Sequence, residues 1–146
     1  MDNFDSLLLK NQLCFPVYSV ANKILRKYKP FLDKLDLTYT QYIVMMVMWE
    51  KKKVNEKELC QTLRLNTNTL TPLLKRLKEK DYILIEKDNL DKRNLVITLT
   101  DSGIKLKEKA KDVPKSISKE FNLTEEEAKF LYDILYKILD FEKEEY

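Results

Sequence analysis

Apolar residues recur at helical spacing through the first fifth of the chain. From about Ser6 to Tyr28 the series Leu7, Leu8, Leu13, Cys14, Val17, Tyr18, Ala21, Ile24, Leu25 and Tyr28 marks one face of a helix. Pro16 lies inside this stretch, so the pattern allows either a kink or a helix that starts near Cys14, and Pro30 is expected to mark its end. A second helix is predicted from about Thr40 to Glu50. Its run from Tyr42 to Trp49 is apolar all round, which is the pattern of a buried helix. A short third helix, roughly Asn55 to Leu63, has Leu59, Cys60 and Leu63 inward. Asn55 can cap it, with Glu58 three residues on completing a capping arrangement.

The polar cluster from Arg64 to Thr71 reads as a turn and then a helix cap. The helix that follows runs to about Lys80 and buries Leu70, Leu73, Leu74 and Leu77; it can start after Asn66, or after Thr71 with Pro72 at its first position. Its other face carries Thr67, Asn68, Thr71, Lys75, Arg76 and Lys78. The segments 82–86 and 95–99 read as two strands around a charged hairpin tip. Thr100 or Asp101 then caps a helix to about Lys111, which either stops there or passes Pro114 with a kink. Thr124 to Glu127 forms a capping box that opens a last helix with Phe130, Leu131, Ile134, Leu135, Ile138 and Phe141 on one side.

Two short helices around a tight turn, then two strands joined by a basic hairpin, is the order of a winged helix-turn-helix. The expected fold is mainly α with a small β-hairpin wing, in a single domain over 1–146. The winged unit spans about 40–100, and the helices at about 6–30 and 101–145 remain for dimerisation. In this arrangement a helix reads base edges in the major groove near its N-terminus. The candidate reading residues are Thr67, Asn68, Thr69 and Thr71, with Lys75, Arg76 and Lys78 as phosphate contacts. In the wing, Arg93 suits a narrow minor groove, Asp91 can hold it by a charge-assisted hydrogen bond, and Lys92 adds charge beside them.

Composition sharpens this picture. The 146 residues hold one Gly and four Pro, which favours helices, and 44% hydrophobic with 35% charged residues, which favours a soluble globular chain. With no His, a Ser-His-Asp triad, a Cys-His dyad and a His-ligated metal are excluded; one Gly excludes a glycine-rich phosphate loop. Two cysteines, Cys14 and Cys60, do not make a four-Cys metal site, so neither a metal nor a cofactor is expected. No apolar run is long enough to span a membrane and acids precede the first apolar stretch, so a cytoplasmic protein with reduced thiols and no membrane partner is expected. The net charge of +3 is localised: between Gln61 and Leu95 eight basic residues face five acids, a surplus equal to that of the whole chain. From Glu120 onward nine acids outnumber three lysines. That asymmetry puts a cationic surface on the predicted winged unit, as an anionic partner requires.

Asp91-Lys92-Arg93, through Val96-Ile97-Thr98-Leu99-Thr100-Asp101-Ser102-Gly103, resembles the wing signature of the MarR family of transcriptional regulators. Leu70-Thr71-Pro72-Leu73-Leu74-Lys75-Arg76-Leu77 resembles that family's recognition helix. The resemblance covers nearly the whole chain. It implies a non-enzymatic homodimer with intertwined first and last helices, whose two wings span a pseudo-palindromic operator in double-stranded DNA. Asn66 and Asn68 stand where Asp and Gly are usual in the family, which points to a different operator preference.

The N-terminal half is similar to the organic hydroperoxide-sensing repressors within that family. The residues that carry this are Asn11-Gln12-Leu13-Cys14-Phe15, Tyr18, Tyr28-Lys29-Pro30 and Leu37-Thr38-Tyr39-Thr40-Gln41-Tyr42. The resemblance implies that Cys14 is the redox-sensing thiol, hydrogen-bonded by Tyr28 and Tyr39 of the other subunit, with Tyr18 near the pocket. An organic hydroperoxide is then the oxidant. The lack of a second Cys near the C-terminal helices implies the one-Cys type, in which a low-molecular-weight thiol caps the oxidised sulfur. Read from the residues alone, Cys14 fits an inert small hydrophobe as well, and Cys60 reads as core. Two other readings stay open: a regulator controlled by a small phenolic ligand with Cys14 incidental, and a thiol peroxidase using Cys14.

Overall fold

The computed structural model describes residues 4–142. The chain divides into two compact units, Met1–Pro114 and Lys115–Tyr146. The last residues of the expected 101–145 dimerisation span lie outside the described residues.

The first unit opens with two short 3-10 turns, Asp5–Leu7 and Leu9–Asn11, followed by α1, Cys14–Asp33. Of the two outcomes Pro16 allowed, a kink or a start near Cys14, the helix takes the second and begins at Cys14. Pro16 explains the position: proline is tolerated in the first turn, where its missing N–H has no intrahelical partner, and is costly deeper in. Pro30 does not end α1. It sits in the last turn, where losing one backbone bond is tolerated, and buried Leu32 and half-buried Phe31 anchor the turn beyond it.

Helix α2, Tyr39–Lys51, begins on a capping box the sequence reading missed. Thr38 Oγ1 accepts from the Gln41 N–H at 3.3 Å, and Gln41 Oε1 accepts from the Thr38 N–H at 3.1 Å. This cap lets Gln41 be buried with its carbonyl satisfied. Val44, Met45 and Met48 of α2 are fully buried, so this helix is the spine of the unit, with Met46 alone of its large apolar residues turned outward.

After α2, the segment Lys53–Asn55 forms a strand, β1, that was not predicted. It pairs antiparallel with Leu95–Leu99 (β3), which pairs on its other side with Ile83–Lys87 (β2), giving a three-stranded sheet in the order β1-β3-β2. Val54 and Ile97 are opposite each other in this register and both are buried. Three residues are too few for periodicity to show, which is why the wing read as a two-stranded hairpin.

Helices α3, Glu56–Leu63, and α4, Thr67–Glu79, are joined by a three-residue turn. Arg64 adopts the left-handed conformation that closes α3, and the Leu65 N–H returns to the Cys60 carbonyl at 3.0 Å. Asn55 caps α3 as predicted, its Oδ1 accepting from the Glu58 N–H at 2.7 Å, while the Glu58 side chain turns to Lys51 instead of back to Asn55. Between the two starts the sequence allowed for α4, the structure takes the one after Asn66.

Thr100 caps α5, Asp101–Ala110. A turn separates it from α6, Val113–Ser118, which has Pro114 in its first turn, so the helix breaks before Pro114 instead of kinking through it. In the second unit α7, Glu125–Asp140, starts on the predicted capping box, Thr124 with Glu127. None of its side chains is buried within the chain. Phe130, for example, is 68% exposed.

Candidate nucleic-acid interface and thiol site

Helix α4 buries Leu70, Leu74 and Leu77 and leaves Thr67, Asn68, Thr69, Thr71, Lys75, Arg76 and Lys78 exposed. All seven predicted contact residues are therefore available to a ligand, but they do not form one stripe. Asn68 and Lys75 point away from the core. Thr67 lies toward α3 and the base of the wing, lining a cleft with Cys60, Gln61, Arg93 and Asn94. Arg76 lies toward the turn between α1 and α2, lining a cleft with Asp36, Gln41 and Lys80. The N-terminus of α4 is set by Asn66, whose Oδ1 accepts from the Thr69 N–H at 2.9 Å. Pro72 has no N–H, so the i→i−4 bond to the Asn68 carbonyl is not made in the exposed first turns of α4.

At the wing, Asp91 and Arg93 meet as predicted. Arg93 Nε donates to Asp91 Oδ1 at 3.0 Å and Nη2 donates to Oδ2 at 3.0 Å, a bidentate pair, and the Arg93 backbone N–H adds a bond to Oδ1 at 3.1 Å. These bonds, the side-chain ones first, hold the Asp91 carboxyl below its usual range, and the same pair holds the Arg93 guanidinium above its own. Three of the five guanidinium donors remain free to meet phosphates or base edges. Lys92 is exposed between the two.

The residues expected to form a thiol site lie in two places. Cys14 is the first residue of α1 and is exposed. Leu13 provides no side-chain cap, so the first backbone N–H groups of α1 surround the thiol end of the helix without a side-chain acceptor. Tyr18, one turn on, shares its face and is also exposed. Tyr28 and Tyr39 are elsewhere: fourteen residues of helix place Tyr28 about 21 Å from Cys14 along α1. There the two rings come together with centroids 4.9 Å apart, and Tyr42, which had no pocket role in the sequence analysis, joins them at 5.9 Å from Tyr28. The signal for Tyr42 was its i+3 spacing from Tyr39. Burial, then the neighbouring Tyr39 and Tyr42, pushes the Tyr28 phenol up to about 12, and burial raises Tyr39 and Tyr42 as well. All three are therefore neutral hydrogen-bond donors at physiological pH.

Cys60 is half-buried against the core as predicted, but its Sγ is 3.9 Å from Thr67 Oγ1 and it lines the cleft between α3 and the wing. No helix among the described residues is long and apolar enough to cross a membrane.

The profile of the family described as Transcriptional regulator SarA/Rot matches residues 26–110, which is more than half of the chain. The organic hydroperoxide resistance transcriptional regulator of Bacillus subtilis is 39% identical over 141 residues, covering 96% of each chain. This chain belongs to the MarR/SarA family of transcriptional regulators. SarZ, an HTH-type transcriptional regulator of Staphylococcus aureus, is 40% identical over 133 residues, covering 91% of this chain and 88% of its own. Among solved structures, reduced AbfR bound to DNA superposes with a TM-score of 0.75 at 37% identity, covering 90% of this chain and 91% of its own. The relatives of this MarR-type chain are named as regulators, not as enzymes, and its winged-helix fold is theirs.

Proposed function

We propose that this protein is a DNA-binding repressor that releases its operator when Cys14 is oxidised by an organic hydroperoxide. The observation that carries the reading is the split of the thiol site. Cys14 sits at an uncapped helix start with apolar neighbours exposed, and the paired tyrosines sit about 21 Å away on the same helix. A homodimer that sets the start of α1 against the partner's tyrosines unites the two halves. The same dimer gives the exposed apolar face of α7 a partner. The similarity to an organic hydroperoxide resistance regulator, over nearly all of both chains, supports the choice of oxidant.

The first turn of a helix favours negative charge, and neutral tyrosine hydroxyls can donate to a thiolate. The thiolate of Cys14 attacks one peroxide oxygen. An S–O bond forms, the O–O bond breaks, and the other oxygen leaves with the alkyl group as an alcohol after taking a proton. Sulfur is oxidised to a sulfenic acid and the hydroperoxide is reduced. A low-molecular-weight thiol then displaces water from the sulfenic acid and leaves a mixed disulfide. The added bulk at the start of α1 shifts the helix and its tyrosine contacts, and the two reading heads lose their half-site spacing. In the bound state α4 enters the major groove with Thr67, Asn68, Thr69 and Thr71. Lys75, Arg76 and Lys78 meet phosphates, and Asp91-braced Arg93 enters the minor groove beside Lys92.

A second reading, control by a phenolic ligand, is favoured by one feature: a cleft of about 340 Å³ lined by Leu25, Leu32, Leu37 and Tyr39. One experiment separates the two. Wild-type and Cys14→Ser proteins are titrated on duplex DNA with cumene hydroperoxide and, in parallel, with salicylate. Release of the wild type alone, by peroxide alone, supports the sensor; release of Cys14→Ser by peroxide overturns it.

A further inference from the structure

The hairpin loop 88–94 carries an exposed apolar side chain, just before its Lys92–Arg93 turn, that neither the core nor the charged contacts use. Leu90 is 96% exposed, within a loop whose other residues are all polar or charged. A scattered exposed leucine is ordinary on a protein surface, but this one is held in place. The Asp88 N–H donates to the Asn94 carbonyl at 2.9 Å, and the Asn94 N–H donates to the Asp91 carbonyl at 3.0 Å. The Leu90 N–H itself donates to Asp88 Oδ1 at 3.0 Å, and Asp91 pins Arg93 by a bidentate pair. The loop is braced on both sides of Leu90, and the leucine side chain is left in solvent.

We propose that Leu90 is an apolar wedge for the DNA minor groove, seated next to the step that receives Arg93. This rests on the DNA-binding reading above and deepens it. The walls of the minor groove are the C–H surfaces of deoxyribose, so an alkyl side chain loses little by entering once a charged neighbour has brought the loop there. Leucine is among the side chains that proteins insert between base steps to open and bend a duplex. Three residues of chain span at most about 10 Å, so Leu90 reaches within about three base pairs of Arg93 at 3.4 Å each. The braced turn means that little conformational freedom is lost on insertion. Opening is cheapest at flexible pyrimidine–purine steps such as TA, so Leu90 adds a sequence preference that no hydrogen bond carries.

The test uses the full chain and two duplexes of equal length, one of alternating A·T pairs and one of alternating G·C pairs, each with a dye at both ends. Affinity is measured across a salt series and bending by energy transfer between the ends. Leu90→Ala should bind the A·T duplex roughly tenfold more weakly, the scale of removing most of a leucine's burial. The slope of affinity against salt should not change, because no charge is removed. Bending should fall, and Leu90→Met should restore both. Arg93→Ala, by contrast, should reduce the salt slope. Leu90→Ala that binds and bends the A·T duplex as wild type does would overturn the wedge alone. A wild-type protein with no salt-dependent affinity for either duplex would overturn the DNA-binding reading and the wedge with it.

Discussion

The indole N–H of Trp49 donates to the carbonyl oxygen of Gly103 at 2.9 Å, tying the buried spine α2 to the helix that follows the wing. The same residue packs against the wing's base at a distance that leaves no room for a side chain. A Cβ there would lie 2.4 Å from the Tyr82 carbonyl oxygen and 2.6 Å from Leu99 Cδ1, on both sides of the wing's base. Gly103→Ala should therefore destabilise the fold by about 1–3 kcal/mol through forced displacement of α5. Trp49→Phe, which loses the hydrogen bond while keeping most of the ring, should cost about 1 kcal/mol. Urea unfolding of both variants checks this, and an unchanged midpoint for Gly103→Ala would refute the packing argument.

Asn66 is the side-chain cap on the N-terminus of α4. Asn66→Ala should lower stability by about 1 kcal/mol, while Asn66→Asp should cost only a few tenths. Because the frayed turn carries Thr67, Asn68 and Thr69, duplex affinity should fall with it. Thermal unfolding followed by circular dichroism, with titration of a duplex below the transition, reads both effects.

The wing gives a prediction whose sign separates two ideas. Asp91→Ala removes a negative charge from a surface facing a polyanion, so charge alone predicts tighter binding. The bidentate pair predicts the reverse, because Arg93 then has to be ordered on binding, and the affinity should drop roughly three- to tenfold. Fluorescence anisotropy with a labelled duplex decides between them.

The tyrosine cluster predicts a specific alkaline response. Tyr28 is raised to about 12 from an ordinary 10, chiefly by burial. The folded state thus holds the phenol proton more tightly than the unfolded chain does. Its contribution to stability is fully present below pH 10 and is lost as pH rises through about 12. Tyr28→Phe removes this dependence, so the stability of wild type should fall more steeply than that of the variant across that window. Chemical denaturation at several alkaline pH values is the check.

Where each element rests on a repeated pattern, the sequence reveals it. The wing strands, the α4 face and the Thr124 capping box are all legible from local spacing. The start of α1 followed from Pro16, one of two choices the residues allowed. What stays hidden depends on contacts distant in sequence. β1 is visible only through its pairing with β3, and Gly103 looks like any helix residue until Tyr82 lies against it. The division of the α4 contact residues between two clefts needs the neighbouring elements in place. Cys14, Tyr28 and Tyr39 stand out by residue type as candidates for the proposed thiol site, but the separation of Cys14 from Tyr28 by about 21 Å (about fourteen helical rises) is a fact of the uninterrupted helix α1.

In the proposed mechanism Cys14 of one subunit works with Tyr28 and Tyr39 of the other, so complementation in a mixed dimer should restore the response. Cys14→Ser subunits are co-expressed with subunits carrying Tyr28→Phe and Tyr39→Phe, and the mixed dimer is purified by two different tags. Its release from a duplex is then measured with limiting organic hydroperoxide, together with mass spectrometry of the cysteine. A shared site leaves the mixed dimer one intact Cys14 facing two intact tyrosines. It should therefore oxidise and release DNA at close to the wild-type peroxide concentration, while both parent dimers resist. A mixed dimer as resistant as its parents would contradict the account.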